Sequence, residues 1–135
     1  MFILSVQMFF INSIKASLGG VFRLVYTNFQ KIKIVYCERA RSEVFFKKNM
    51  TPTLGEDSGF VVRTITASYL ATATLGDMLN VTTKLITLKN SSLVLRQEVW
   101  KEEVKSFSME VVLVYVDKGK PSRIPEVFRD TFESF

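Results

Sequence analysis

The stretch that decides the fold runs from Asn28 to Asn49, NFQKIKIVYCERARSEVFFKKN. Within it Phe29, Ile32, Tyr36, Ala40 and Val44 recur at spacings of three and four. That period stacks side chains on one face of an α-helix. Ile34, Val35, Cys37 and Phe45 widen the face, so little polar surface is left and the helix is expected to be wrapped on most sides. Glu38, Arg39, Arg41 and Glu43 interrupt it with a charged patch. Asn28 is the expected N-cap, because its side-chain oxygen can accept from a free backbone N–H. Lys47 and Lys48 suit the negative end of the helix dipole.

Working outward, the upstream segment MFILSVQMFFINSI (Met1 to Ile14) is strongly apolar. It lacks the basic start of a secretion signal, Gln7 and Asn12 interrupt it, and it is too short to span a membrane. A buried first strand is the expectation. Downstream, Met50 to Gly59 is a loop by composition. β-type residues then dominate in four runs, Phe60 to Leu75, Asp77 to Asn90, Ser92 to Ser106 and Ser108 to Gly119. The third alternates Leu93, Leu95, Gln97, Val99, and the fourth is an almost unbroken apolar run, as a central strand would be. Gly76-Asp77, Lys89-Asn90-Ser91 and Lys118-Gly119-Lys120-Pro121 read as turns. PEVFRDTFESF closes the chain with a short amphipathic helix starting at Pro125. Strand, loop, long apolar helix, four strands and short helix predict an α+β chain in which one antiparallel sheet wraps the helix. This is the hot-dog arrangement, in a single domain over 1–135.

The totals agree. A chain of 135 residues, 47% hydrophobic and with 12 Phe, can bury a real core. Its net charge of +5 is uneven. Met1 to Cys37 holds Lys15, Arg23, Lys31 and Lys33 and no acid, whereas the remainder is almost neutral. That imbalance argues against nucleic acid as a partner. There is no His, and Cys37 is the single Cys. A Ser–His or Cys–His catalytic pair within the chain and an intramolecular disulfide are therefore excluded, and a zinc site nearly so. No metal or cofactor is expected, and a lone thiol fits a reducing, cytoplasmic setting.

Three motifs in this order are familiar. YCERARSEVFF (Tyr36 to Phe46) resembles the helix signature of the tol-pal-associated acyl-CoA thioesterases, relatives of 4-hydroxybenzoyl-CoA thioesterase. LGDMLNVTTKL (Leu75 to Leu85) is similar to a strand junction of that family, and SRIP (Ser122 to Pro125) to its C-terminal ending. The resemblance covers Tyr36 to the C-terminus and leaves 1–35 atypical. It implies hydrolysis of an acyl-CoA thioester to free acid and coenzyme A, in a homodimer or homotetramer with substrate at the subunit interface.

The resemblance also implies a loop of the type Asp-x-Gly-Gly-Val-Val-Tyr-His-x-Asn-Tyr before the helix. Its Asp attacks or deprotonates, and backbone N–H groups at the helix start polarise the thioester carbonyl. This chain keeps LGGV (Leu18 to Val21) and VYTNF (Val25 to Phe29), but Ser17 stands where the Asp is expected and Thr27 follows Tyr26 where the His is expected. Seventeen residues separate Gly20 from Glu38, several more than the family has. A shifted reading frame, a decayed gene start or a divergent loop would each produce this pattern.

The candidate catalytic residues are then Ser17, Tyr26 and Glu38, with Gly19, Gly20, Thr27 and Asn28 as substrate-binding candidates. Ser17 lacks a base to activate it, since Lys15 is the nearest titratable group. Glu38 is the first carboxylate in the chain and sits on the helix, with an ion pair to Arg41 or Arg39 as its competing role. Arg63, Arg96, Lys101, Lys105 and Arg123 can meet the phosphates of coenzyme A or simply be solvated. The function expected is an acyl-CoA thioesterase impaired by loss of the family Asp and His. The alternatives are a non-catalytic acyl-CoA or acyl-carrier binding domain on the same fold, and an interaction domain whose basic N-terminus meets an anionic partner.

Overall fold

The structure, a computed structural model, describes residues 2–7, 21–48, 50–51, 55–73 and 77–134, with side chains described from Lys33 onward. The elements in chain order are β1 (Phe2–Gln7), α1 (Val21–Phe46), β2 (Ser58–Tyr69), β3 (Met78–Leu88), β4 (Ser92–Lys101), β5 (Val104–Asp117), β6 (Lys120–Pro121) and α2 (Glu126–Glu133). The strands form one antiparallel sheet in the order β1-β3-β4-β5-β2, with β6 paired to the end of β5. β3, β4 and β5 are consecutive neighbours, while β1 and β2 fill the two edges.

The hydrophobic alternation of the strands supplies the core. Leu79, Val81, Leu93, Leu95, Val99, Phe107, Met109, Val111 and Leu113 are buried on one sheet face against Cys37, Ala40 and Phe45 of α1. α2 closes one end: Phe128 and Phe132 meet Phe45 and Phe60 edge-on at ring separations of 5.3 to 5.7 Å. Edge-to-face contacts of this kind add to the area term because ring edges are positive and ring faces negative. The opposite sheet face is polar around Arg96, Glu98 and Glu110, which form surface ion pairs.

Several sequence expectations need correction. α1 begins at Val21, so Asn28 is not its N-cap. No Gly or Pro lies between Val21 and Asn28 to interrupt a helix there. The sheet does pack against α1, which lies over β1, β3 and β4 as expected, but the outer side of the helix is open, with Val35 and Phe46 56% and 55% exposed. β2 ends at Tyr69 rather than Leu75.

The sequence also places a strand break at Ser106-Phe107. The chain actually turns at Glu102-Glu103, where Lys101 pairs with Val104, and Ser106 is a bulge inside β5. Glu102 has φ 53, a left-handed conformation usually announced by Gly, Asn or Asp. The bulge shifts the alternation by one residue, which imitates a strand end. At the other hairpin Lys118 and Gly119 both have positive φ (51 and 76), as a type I′ turn demands, and the sequence signal there is accurate. β1 forms as expected; its side chains lie outside the described residues.

Candidate active site

Ser17, Gly19 and Gly20 lie outside the described residues. Tyr26, Thr27 and Asn28 fall inside α1, with their side chains outside the description. Their placement changes the chemistry expected of them. Only the first four N–H groups of a helix lack an intrahelical acceptor, and the N–H of Tyr26, with Phe22 of α1 four residues before it, is committed to the helix. Glu38 lies about 25 Å beyond Val21 along the axis at roughly 1.5 Å per residue. One carbonyl cannot touch both the helix start and Glu38 of the same chain.

Glu38 is exposed on the outer side of α1. Among the described residues its carboxylate makes no ion pair. Of the two neighbours expected to pair with it, Arg39 and Arg41, neither forms that salt bridge, and Arg41 bonds inward. Arg41 is buried, and its Nη1 donates to Gln97 Oε1 at 2.6 Å. Burial pulls the Arg41 guanidinium down from its usual range, opposed by the nearby Cys37 and Glu38. Gln97, fully buried at the middle of β4, donates Nε2 to the Cys37 carbonyl (2.8 Å) and to Thr83 Oγ1 (3.0 Å). The Cys37 thiol is itself buried, which pushes it up to about 12 and leaves it inert as a nucleophile.

Lys33 is a second buried cation, 2% exposed. Its Nζ donates to the Ala71 carbonyl at 2.7 Å and the Ser106 carbonyl at 3.3 Å. The bulge explains the second acceptor: the Ser106 carbonyl leaves the ladder and also accepts from Leu70 N and Ala71 N. Burial lowers the Lys33 pKa from its ordinary value. Sequence reading missed both Lys33 and Gln97. Gln97 did carry a signal, a polar residue at an inward position of an otherwise apolar strand.

Four of the five basic candidates for phosphate contact are engaged elsewhere. Arg96 pairs with Glu110 (2.7 Å), Lys101 with Asp77 (3.1 Å), Lys105 with Glu98 (2.5 Å) and Arg123 with Glu126 (2.8 Å). Arg63 is exposed at a bulge in β2 and makes no ion pair among the described residues. The register puts Val62, Ile65 and Tyr69 of β2 opposite Leu113, Val111 and Phe107, on the core face of the sheet. They are nevertheless 48%, 40% and 45% exposed, because α1 lies over the other half of the sheet. An uncovered apolar stripe therefore runs along the edge strand. Among the described residues no helix is long and apolar enough to cross a membrane.

Comparison with known proteins gives this geometry its setting. Residues 34–108, more than half of the chain, match the thioesterase superfamily. The match begins just after Lys33, so the Gly-Gly loop lies upstream of it. The acyl-CoA thioesterase YbgC of Helicobacter pylori is 35% identical over 106 residues, covering 70% of this chain and 79% of that protein. The acyl-CoA thioester hydrolase YbgC of Escherichia coli is 34% identical over 98 residues, covering 69% and 73%. In fold, the chain superposes on the 1,4-dihydroxy-2-naphthoyl-CoA thioesterase of Synechocystis with a TM-score of 0.75 at 13% identity, over 99% of this chain and 96% of that one. With the helix signature, strand order and core of one antiparallel sheet all in place, the chain belongs to the thioesterase superfamily.

Proposed function

We propose that the chain hydrolyses an acyl-CoA thioester to the free acid and coenzyme A, with Glu38 as the working carboxylate. The observation that carries this reading is the inward hydrogen bond of Arg41 to Gln97, with the exposed Glu38 carboxylate left without an ion pair among the described residues although it still feels the Arg41 charge. As a general base it takes a proton from water. The water oxygen attacks the thioester carbonyl, the C–S bond breaks, and the departing thiolate is protonated. Donors at a helix start stabilise the oxyanion. Since those of one chain lie about 25 Å from its own Glu38, a site using both takes them from two copies. With Ser17 at the family's Asp position, turnover is slower than in relatives that keep the Asp.

The active unit in this reading is a homodimer. Among the described residues β2 is an edge strand with unpaired backbone groups and an uncovered apolar stripe, and a second copy would cover both. A reducing compartment such as the cytoplasm suits the chain, whose single thiol is buried.

The test is coenzyme A release from a panel of short, long and aromatic acyl-CoAs by the unmodified chain, Ser17→Asp and Glu38→Gln. A kcat in Glu38→Gln lower by about a hundredfold or more, down to a residual rate still above the spontaneous one, supports the reading. No turnover above the spontaneous rate by a folded chain refutes hydrolysis, and tight binding of a non-hydrolysable acyl-CoA would then identify a binding domain. A Ser17→Asp variant faster than the parent would locate the damage in the upstream loop.

A further inference from the structure

The buried polar cluster of Arg41, Gln97, Thr83 and the Cys37 carbonyl touches none of the reacting groups in the chemistry above. It is costly, because a guanidinium and an amide have been drawn into an apolar interface. An apolar helix on an apolar sheet is held by contacts that tolerate small rotations and slides; hydrogen bonds at fixed points do not. Gln97 fixes two such points one turn apart on the same side of α1. It donates to the Cys37 carbonyl, which the helix already uses for its own ladder, and accepts from Arg41 four residues on. Its second amide hydrogen goes to Thr83 Oγ1 on β3, which fixes the plane of the amide. Both N–H donors of Gln97 are thus used, and all of its partners are defined. Glu38 follows Cys37 directly, about 100° further round the helix.

We propose that Gln97 is a positioning residue, which sets the rotation of α1 from the centre of the sheet and so fixes the direction in which Glu38 leaves the helix. This rests on the reading of Glu38 as the working carboxylate. Arg41 has a double role: it completes the clamp, and it is held away from the carboxylate it would otherwise pair with.

The experiment uses Gln97→Leu, which keeps the volume and removes the bonds, alone and in a Glu38→Gln background. Two quantities are read for each protein: kcat and KM for acyl-CoA hydrolysis, and the labelling rate of the Cys37 thiol beneath α1 in the folded protein. The expected result for Gln97→Leu is a kcat lower by roughly tenfold to a hundredfold. KM should stay within about twofold and Cys37 labelling should rise about fivefold or more as the helix loosens. In the Glu38→Gln background Gln97→Leu should have no further effect on kcat, because the group it aims is gone. If Gln97→Leu does not fold, Thr83→Val, which removes one bond of the amide, should give a smaller fall of the same kind.

An equal loss of kcat in both backgrounds overturns the proposal, since Gln97 would then act without Glu38. Faster labelling with unchanged kcat also overturns it, leaving Gln97 a fold pin only. Failure of the underlying reading shows separately, as a Glu38→Gln protein that keeps the parent rate or as a parent with no rate. Either result withdraws the aiming role whatever the labelling reports.

Discussion

Replacing Lys33 with Met should change how stability depends on pH more clearly than it changes stability itself. At neutral pH two large effects oppose each other. Burying an ammonium costs several kcal/mol, and its hydrogen bonds to the Ala71 and Ser106 carbonyls return about 1.5–3 kcal/mol each. Met removes the charge and leaves the Ala71 carbonyl short of that donor, while the Ser106 carbonyl keeps Leu70 N and Ala71 N. The remainder is small. The pH slope has a definite sign. Burial lowers the Lys33 pKa below its ordinary 10.5, so between the two values the unfolded chain binds the proton and the folded chain does not. Stability therefore rises with pH across that window, by at most about 1.4 kcal/mol per pH unit. Cys37, pushed up to about 12, and Tyr36, raised by burial against the opposing Arg39, act in the other direction above their ordinary values. Both are present in either protein and cancel in the difference. Urea unfolding of parent and Lys33→Met from pH 7.5 to 10.5 measures that difference. The parent should gain on the variant as the pH rises across the range. A flat or falling difference would refute the buried, unpaired placement of Lys33.

Phe128→Ala removes a fully buried ring packed on Phe45, Phe60 and Tyr115. It should cost about 3–5 kcal/mol in denaturant unfolding, and a loss below about 1 kcal/mol would mean that α2 is not part of the core. The Cys37 thiol should resist a thiol reagent at pH 8 in the native protein and react at once in strong denaturant, because it is buried and raised to about 12; native labelling within about tenfold of the unfolded rate would contradict that burial. Val62→Asp combined with Ile65→Asp places two charges on the uncovered stripe of β2. The sedimentation mass should fall from two chains to one, and a persistent dimer would show that copies meet elsewhere.

The strand order and the long helix were legible because both depend on hydrophobic period, which the sequence states directly. Ala40, Val44, Leu93, Leu95 and Val99 are buried where the periodicity puts them. Backbone events that leave the period alone, or shift it by one residue, were not legible. Glu102 takes a positive φ without the residue types that advertise one, and the Ser106 bulge resets the alternation so that a continuous strand resembles two. At the helix, Asn28 suits an N-cap chemically, but no Gly or Pro lies between Val21 and Asn28 to interrupt a helix there. The candidate site was legible only in part. Glu38 stands out because it is the first acid in the chain. The fact that makes it available, Arg41 turning inward to Gln97, is a contact between residues 56 apart in sequence, and no local pattern encodes it.

The strand order also dictates a sequence of events during synthesis. β3, β4 and β5 are successive hairpins whose partners are made moments apart, so their meander can form as it emerges. The edges are different. Phe2 pairs with Thr83, and Ser58 with Asp117, so β1 and β2 are complete well before their partners exist. Closing such distant pairs is slow, because the loop entropy is lost before the contacts return it. From the time β2 emerges until β5 joins it, a β-rich segment of twelve residues has no partner in its own chain. The nascent protein is most exposed to misassociation in that interval, and a folding helper that shields Ser58 to Tyr69 would raise its yield more than one acting on the finished meander.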